Sequence, residues 1–219
     1  MPGRADTDRV DIWTIGHWTL TQDAFVDLLA AQRVDLVADV RAHPGSRSSP
    51  HFHRDLMPGW LATAGIGYAH LADLGGRRRR QDVDPRTNAG WQNTSFKNYA
   101  DHTLQPAYEH GIRELTALAA EHRVAVMCAE PMPWRCHRLL VANTLTARGR
   151  RVLHVVGPGE PRVHELGAWG ARPVVDAAGV VTYPPVETDP PDDTDPPDET
   201  DPPDEPTDAA PEDPSADRP

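Results

Sequence analysis

The sequence predicts an α/β fold, a three-layer sandwich around a mostly parallel sheet of about five strands. Three observations lead there. Short apolar runs rich in branched residues recur at residues 11–15, 34–40, 66–71, 124–128 and 151–156. Stretches with apolar residues at helical spacing separate most of these runs. The run Val124, Ala125, Val126, Met127 has no polar alternation, as expected of a strand covered on both faces.

The first strand, 11–15, ends at Gly16-His17. Thr21 suits a helix N-cap, since its hydroxyl can accept from a free amide of the first turn; Asp23 follows in that turn, and Phe25, Leu28 and Leu29 share a face. This helix is expected to end near Arg33. The second strand, 34–40, follows and brings Asp39 and Arg41 to its C-terminal end. Strand, helix and strand in succession form a βαβ unit, which requires parallel pairing.

Residues 42–53 read as a loop with basic and imidazole groups interleaved. Leu56, Trp60 and Leu61 suggest a short helix closed by Gly65, and a third strand, 66–71, leads into Leu74-Gly75-Gly76 and four arginines, Arg77 to Arg80. Residues 81–94 are polar and irregular, and 95–102 hold one or two helical turns. Pro106 opens a longer helix to His122, with Ile112, Leu115 and Leu118 toward the sheet. The strand at 124–128 ends in Cys128. Pro131 and Pro133 cannot extend a central strand, and Leu139, Leu140, Val141 and Leu145 mark a helix whose first turn is expected to hold Cys136, His137 and Arg138. Residues 151–156 make the last parallel strand, and 172–175 with 180–183 a closing hairpin.

Composition divides the chain into an α/β domain at 10–184 and a tail at 185–219. The tail carries fourteen acidic residues and one Arg, a net charge of −13, whereas the preceding residues sum to +2. DPPDDT, DPPDET and DPPDEP repeat within it with no apolar face to bury, so it is expected to be disordered. Such an acidic arm acts as a solubilising spacer or contacts a basic surface. No run of apolar residues is long enough for a transmembrane helix, and the N-terminus lacks the apolar core of a signal peptide. With two cysteines and no disulfide framework, a cytoplasmic protein with reduced thiols and no membrane contact is expected.

The predicted sheet collects Gly16-His17, Asp39 with Arg41, Tyr68 with His70, Cys128 with Glu130, and His154 at the C-terminal strand ends, where open α/β sheets place ligands. These residues also carry a resemblance. TIGHWTLTQDAF, ADVRAHPGSRSSPHF, GIGYAHLADLGGRRR, FKNYADH, MCAEPMPWRCHRLLVANTLTARG and RPVVDAAGVVTYP together resemble the family known as domain of unknown function 488, over residues 10–184. The resemblance implies a site at Gly16, His17, Asp39, Arg41, Gly75, Gly76, Cys128, Glu130, Cys136, His137 and Arg138. It implies no reaction.

Chemistry therefore rests on the groups. A phosphate-bearing ligand, nucleotide or nucleic acid, would find paired donors in Arg41, Arg47, Arg77, Arg135 and Arg138, with Glu130 or Asp39 as general base and His17 or His137 as partner. Thiol chemistry is the alternative. Asp-Val-Arg after one strand and a Cys ending another resemble the rhodanese layout, but two prolines interrupt the loop, and Arg135 lies seven residues after Cys128. Metal binding by Cys128, Cys136 and His137 with His51 or His53 is disfavoured if Cys136 and His137 are helical neighbours, since their side chains then diverge by about 100°. A non-enzymatic interaction module using the acidic tail and the basic loop is the remaining class. The sequence names no cofactor.

Overall fold

The computed structural model describes residues 11–45 and 49–186. Arg47 and nearly all of the expected tail lie outside them. The sheet contains β1 (Asp11–Gly16), β2 (Leu36–Asp39), β3 (Gly67–His70), β4 (Val124–Cys128), β5 (Arg151–Val155) and β6 (Arg162–Val163), in the order β3-β2-β4-β1-β5-β6. The first five strands are mutually parallel, as expected from the βαβ pattern; β6 adds to β5 in the antiparallel sense. That two-residue strand had no signal in the sequence, because its pairing comes from β5 and not from its own pattern.

The helices form the outer layers: α1 (Gln22–Ala31) and α2 (Met57–Thr63) on one side, α3 (Thr94–His102), α4 (Pro106–Glu121) and α5 (Arg138–Ala147) on the other. Strand periodicity divides the core accordingly. Ala125 and Met127 pack with Phe25, Leu29, Met57 and Leu61, whereas Val124, Val126 and Cys128 pack with Ile112, Leu115 and Leu139. Thr21 caps α1 as expected, accepting from the Ala24 amide. Gly65 closes the α2 segment at φ +73°, a left-handed conformation that favours glycine.

Helix α5 is buried from Arg138 through Leu145. The C-terminal segment covers it. Strands β7 (Val174–Val175) and β8 (Val181–Thr182) form the expected hairpin as a separate two-stranded sheet, and Asn143 on α5 donates to the Tyr183 hydroxyl.

The start of α5 differs from the expectation. A 3₁₀ turn at Pro133–Arg135 comes first, Cys136 is extended at φ −138° and ψ 155°, His137 is the N-cap, and the helix begins only at Arg138. Proline at the head of the turn fits its missing N–H and fixed φ, so the turn forms locally and Cys136 must leave it before α5 can begin. Cys136 and His137 are therefore not successive residues of one helix.

Strand order explains where a site can form. The connection leaving β1 or β2 runs on the α1/α2 side, and that leaving neighbouring β4 runs on the α5 side. Chains that depart to opposite faces leave a crevice beyond the strand ends.

Candidate functional site

A cavity of about 1000 Å³ occupies this crevice. Its wall includes Arg41, His43, Gly76, Arg77, Phe96, Tyr99, Cys128, Glu130, Arg135, Cys136 and His137.

Asp39, at the end of β2, is wholly buried, and it holds Arg41 in place. Arg41 donates Nε to both carboxylate oxygens (2.9 and 3.1 Å), Nη2 to Oδ2 (2.6 Å), and its backbone N–H to Oδ1 (3.0 Å). The Tyr68 hydroxyl donates to Oδ2 as well (2.7 Å), so the carboxylate has no free face for proton abstraction. Burial, with Asp39 beside it, raises the Tyr68 phenol and keeps it a donor. Arg41 also donates to the Phe52 carbonyl and to His17 Nε2. His17 consequently carries its proton on Nδ1, which donates to the Trp18 carbonyl. Burial and the adjacent Arg41 push its pKa down to about 4.

Cys128 ends β4 on the α5 side. Its sulfur lies 3.1 Å from that of Cys136, and both thiols are free and buried. His137 Nδ1 is 3.3 Å from Cys136 Sγ, while His137 Nε2 donates to the Val40 carbonyl at 2.9 Å. The two thiols share protons unequally. The Cys136 contact and burial drive Cys128 far up. Burial also pushes Cys136 up, but the Cys128 S–H, His137 and Arg138 outweigh it and hold it well below the ordinary value.

Arg138 is fully buried in α5 and absent from the cavity wall. Its Nη2 donates to the Glu130 and Pro131 carbonyls and clamps the loop after β4. Its Nε and Nη1 have no hydrogen-bond partner, and no carboxylate pairs with it, among the described residues.

Residues 21–145 match the family described as domain of unknown function DUF488. The chain belongs to that family. No curated protein and no solved structure matches it. Membership agrees with the family resemblance over a shorter span than residues 10–184, with Gly16, His17 and the closing hairpin outside the matched residues, and it leaves the activity to be argued from the site.

The structure brings Arg41, Gly76, Arg77, Cys128, Glu130, Arg135, Cys136 and His137 to one cavity. Gly16, His17, Asp39, Gly75 and Arg138 do not line it, and Gly16 lines a separate cavity with Trp18 and Pro131. A Cβ on Gly16 would fall on the Glu130 carbonyl, and one on Gly76 would collide with the His137 ring. These glycines allow close backbone approach. Gly16→Ala is accordingly expected to cost about 1–3 kcal/mol by overpacking, read as a lower urea midpoint with unchanged slope; an unchanged midpoint would refute this account of Gly16.

His154, grouped by sequence with the site, instead enters a buried chain with Thr14, His164 and Asn143. The arginine run also divides. Arg78 caps the Ala72, Asp73 and Gly75 carbonyls, whereas Arg77 faces the cavity with no pairing among the described residues. Phe96, Tyr99 and His43 had not been singled out for the site; the i, i+3 spacing of Phe96 and Tyr99 on α3 is the signal that could have found the first two.

Proposed function

We propose that the cavity binds a phosphate-bearing ligand of nucleotide type. The observation that supports this most is the charge of its wall. Among the described residues, Arg77 and Arg135 are exposed cations without an acidic partner, and Glu130 is the one carboxylate in the wall with them. Unpaired guanidiniums offer forked donors matched to phosphate oxygens and cost no existing ion pair when they engage them. Arg41 contributes positive potential but is already bound to Asp39.

The size and shape of the space favour a nucleotide over inorganic phosphate. A volume of about 1000 Å³ far exceeds a phosphate ion, and the Phe96 ring, stacked on Trp91 at 4.7 Å, provides a flat wall for a base.

The test is thermal unfolding of the full chain against phosphate, mononucleotides and short oligonucleotides. Mononucleotides are expected to raise Tm in a saturable, salt-sensitive way, and Arg77→Ala/Arg135→Ala to weaken binding about tenfold or more. If no phosphate compound stabilises the chain, or if the double variant binds as well as the parent, the reading fails.

A further inference from the structure

The geometry points to a metal site formed by Cys128 Sγ, Cys136 Sγ and His137 Nδ1, suited to a zinc-type divalent ion with one position left open to the cavity. The three ligand groups lie within 4.8 Å of one another. Because Cys136 is extended and precedes the helix, the divergence expected of helical neighbours does not arise. Its sulfur instead faces both partners, at 3.1 Å from Cys128 Sγ and 3.3 Å from His137 Nδ1. Tetrahedral bonds of about 2.3 Å to sulfur and 2.0–2.1 Å to nitrogen would separate the sulfurs by about 3.8 Å and each sulfur from nitrogen by about 3.6 Å. The sulfurs would then move apart by about 0.7 Å and Cys136 Sγ from His137 Nδ1 by about 0.3 Å, while Cys128 Sγ and His137 Nδ1 already lie within 4.8 Å.

The surroundings match what such ligands need. His137 Nε2 donates to the Val40 carbonyl, which leaves the Nδ1 lone pair free and fixes the ring, as metal-bound imidazoles are fixed. Gly76 packs directly against that ring, and Tyr99 lies 5.0 Å from it. The cavity supplies the entry path, since all three ligands line it.

Charge balance is also met. As each S–metal bond forms, the thiol releases its proton to solvent, and two thiolates neutralise a dication bound by a neutral imidazole. Hydroxide at the open position would add one negative charge. Arg138, buried in α5 and with no carboxylate partner among the described residues, is a cation that could meet it. Soft sulfur ligands with imidazole select zinc-type ions over magnesium or calcium.

The experiment uses the chelator-treated full chain in phosphate-free buffer. Cobalt(II) is expected to bind at one equivalent with thiolate-to-cobalt charge-transfer absorption and the visible bands of a tetrahedral ion, and zinc to displace it. Cys136→Ser and His137→Gln should each weaken binding more than tenfold. His110→Ala, which removes the exposed Asp73/His110/Glu114 cluster, should leave the spectrum unchanged. Zinc should also protect both thiols of the wild-type chain from alkylation, a measurement independent of how the variants fold. No charge-transfer band, no protection, or an unaltered band in Cys136→Ser overturns the site. Cobalt binding without nucleotide stabilisation would count against the phosphate reading alone, and the reverse against the metal site alone.

Discussion

Asp39→Ala is expected to destabilise the protein by about 3–5 kcal/mol. Asp39 is 0% exposed and Arg41 6%, and the carboxylate receives both the guanidinium and the Tyr68 hydroxyl. Deleting it leaves a buried guanidinium with one backbone carbonyl and the His17 ring as its remaining partners. The cost is that of an orphaned charge, and it exceeds the net value of the pair, because forming the pair already required both ions to be dehydrated. The double replacement Asp39→Leu/Arg41→Met should therefore recover much of the loss. Urea unfolding of the three proteins measures this. A loss below about 1 kcal/mol for Asp39→Ala, or a double variant no better than the single one, would show that the pair is not held as described.

Stability is also expected to fall steeply with acid, through buried histidines. Burial lowers His154, next to His164 and Arg138, to about 3, and burial lowers His164 and His17 to about 4. The hydrogen bonds give the reason in structural terms. His164 Nε2 donates to Asn143 Oδ1, so its Nδ1 accepts from His154 Nε2, and His154 Nδ1 accepts from the Thr14 hydroxyl. The chain runs in one direction. A proton added to His164 Nδ1 sets it against the His154 Nε2–H, and one added to His154 forces the Thr14 hydroxyl to turn from donor to acceptor.

The sign follows from the depressed values. Below the ordinary value of 6.5 the unfolded chain binds protons that the folded chain refuses. The contribution of these groups is complete above about pH 6.5 and is lost as pH falls toward 4, at roughly 3 kcal/mol for each ring. Three such rings rival the whole stability of an ordinary domain, so acid unfolding is expected between about pH 4 and 6. Urea midpoints that stay level from pH 7.5 down to 4.5 would refute this.

These two networks show where reading residues along the chain stops. Asp39 and Arg41, two apart at a strand end, were identifiable as a pair or a site. That the carboxylate is saturated by Arg41 and Tyr68 depends on β3 lying beside β2 in register, with Val37 opposite Tyr68 and Asp39 opposite His70. His154 sits at a strand end like the others, but the side chain of a strand residue chooses a face by alternation and neighbours, and this one met Thr14 and His164. Arg135 and Arg138, three residues apart, look equivalent in sequence. One ended exposed at the cavity and the other sealed inside α5, because Arg135 closes the 3₁₀ turn and the extended Cys136 separates it from the start of α5.

What the sequence determined by itself was the order of elements, the parallel sheet, the caps and glycine stops, and the strand ends at which a site would gather. Those depend on local pattern and on period, which residues carry with them. Tertiary structure alone decided that Cys128, Cys136 and His137 converge, which arginines face the cavity, and that Asp39 is a brace for Arg41. These depend on contacts between segments up to 97 residues apart, as in the His137 bond to Val40, and, for the cysteines and Arg135, on a break in helical geometry at Cys136. Convergence of that kind is set by packing, and no period in the chain encodes it.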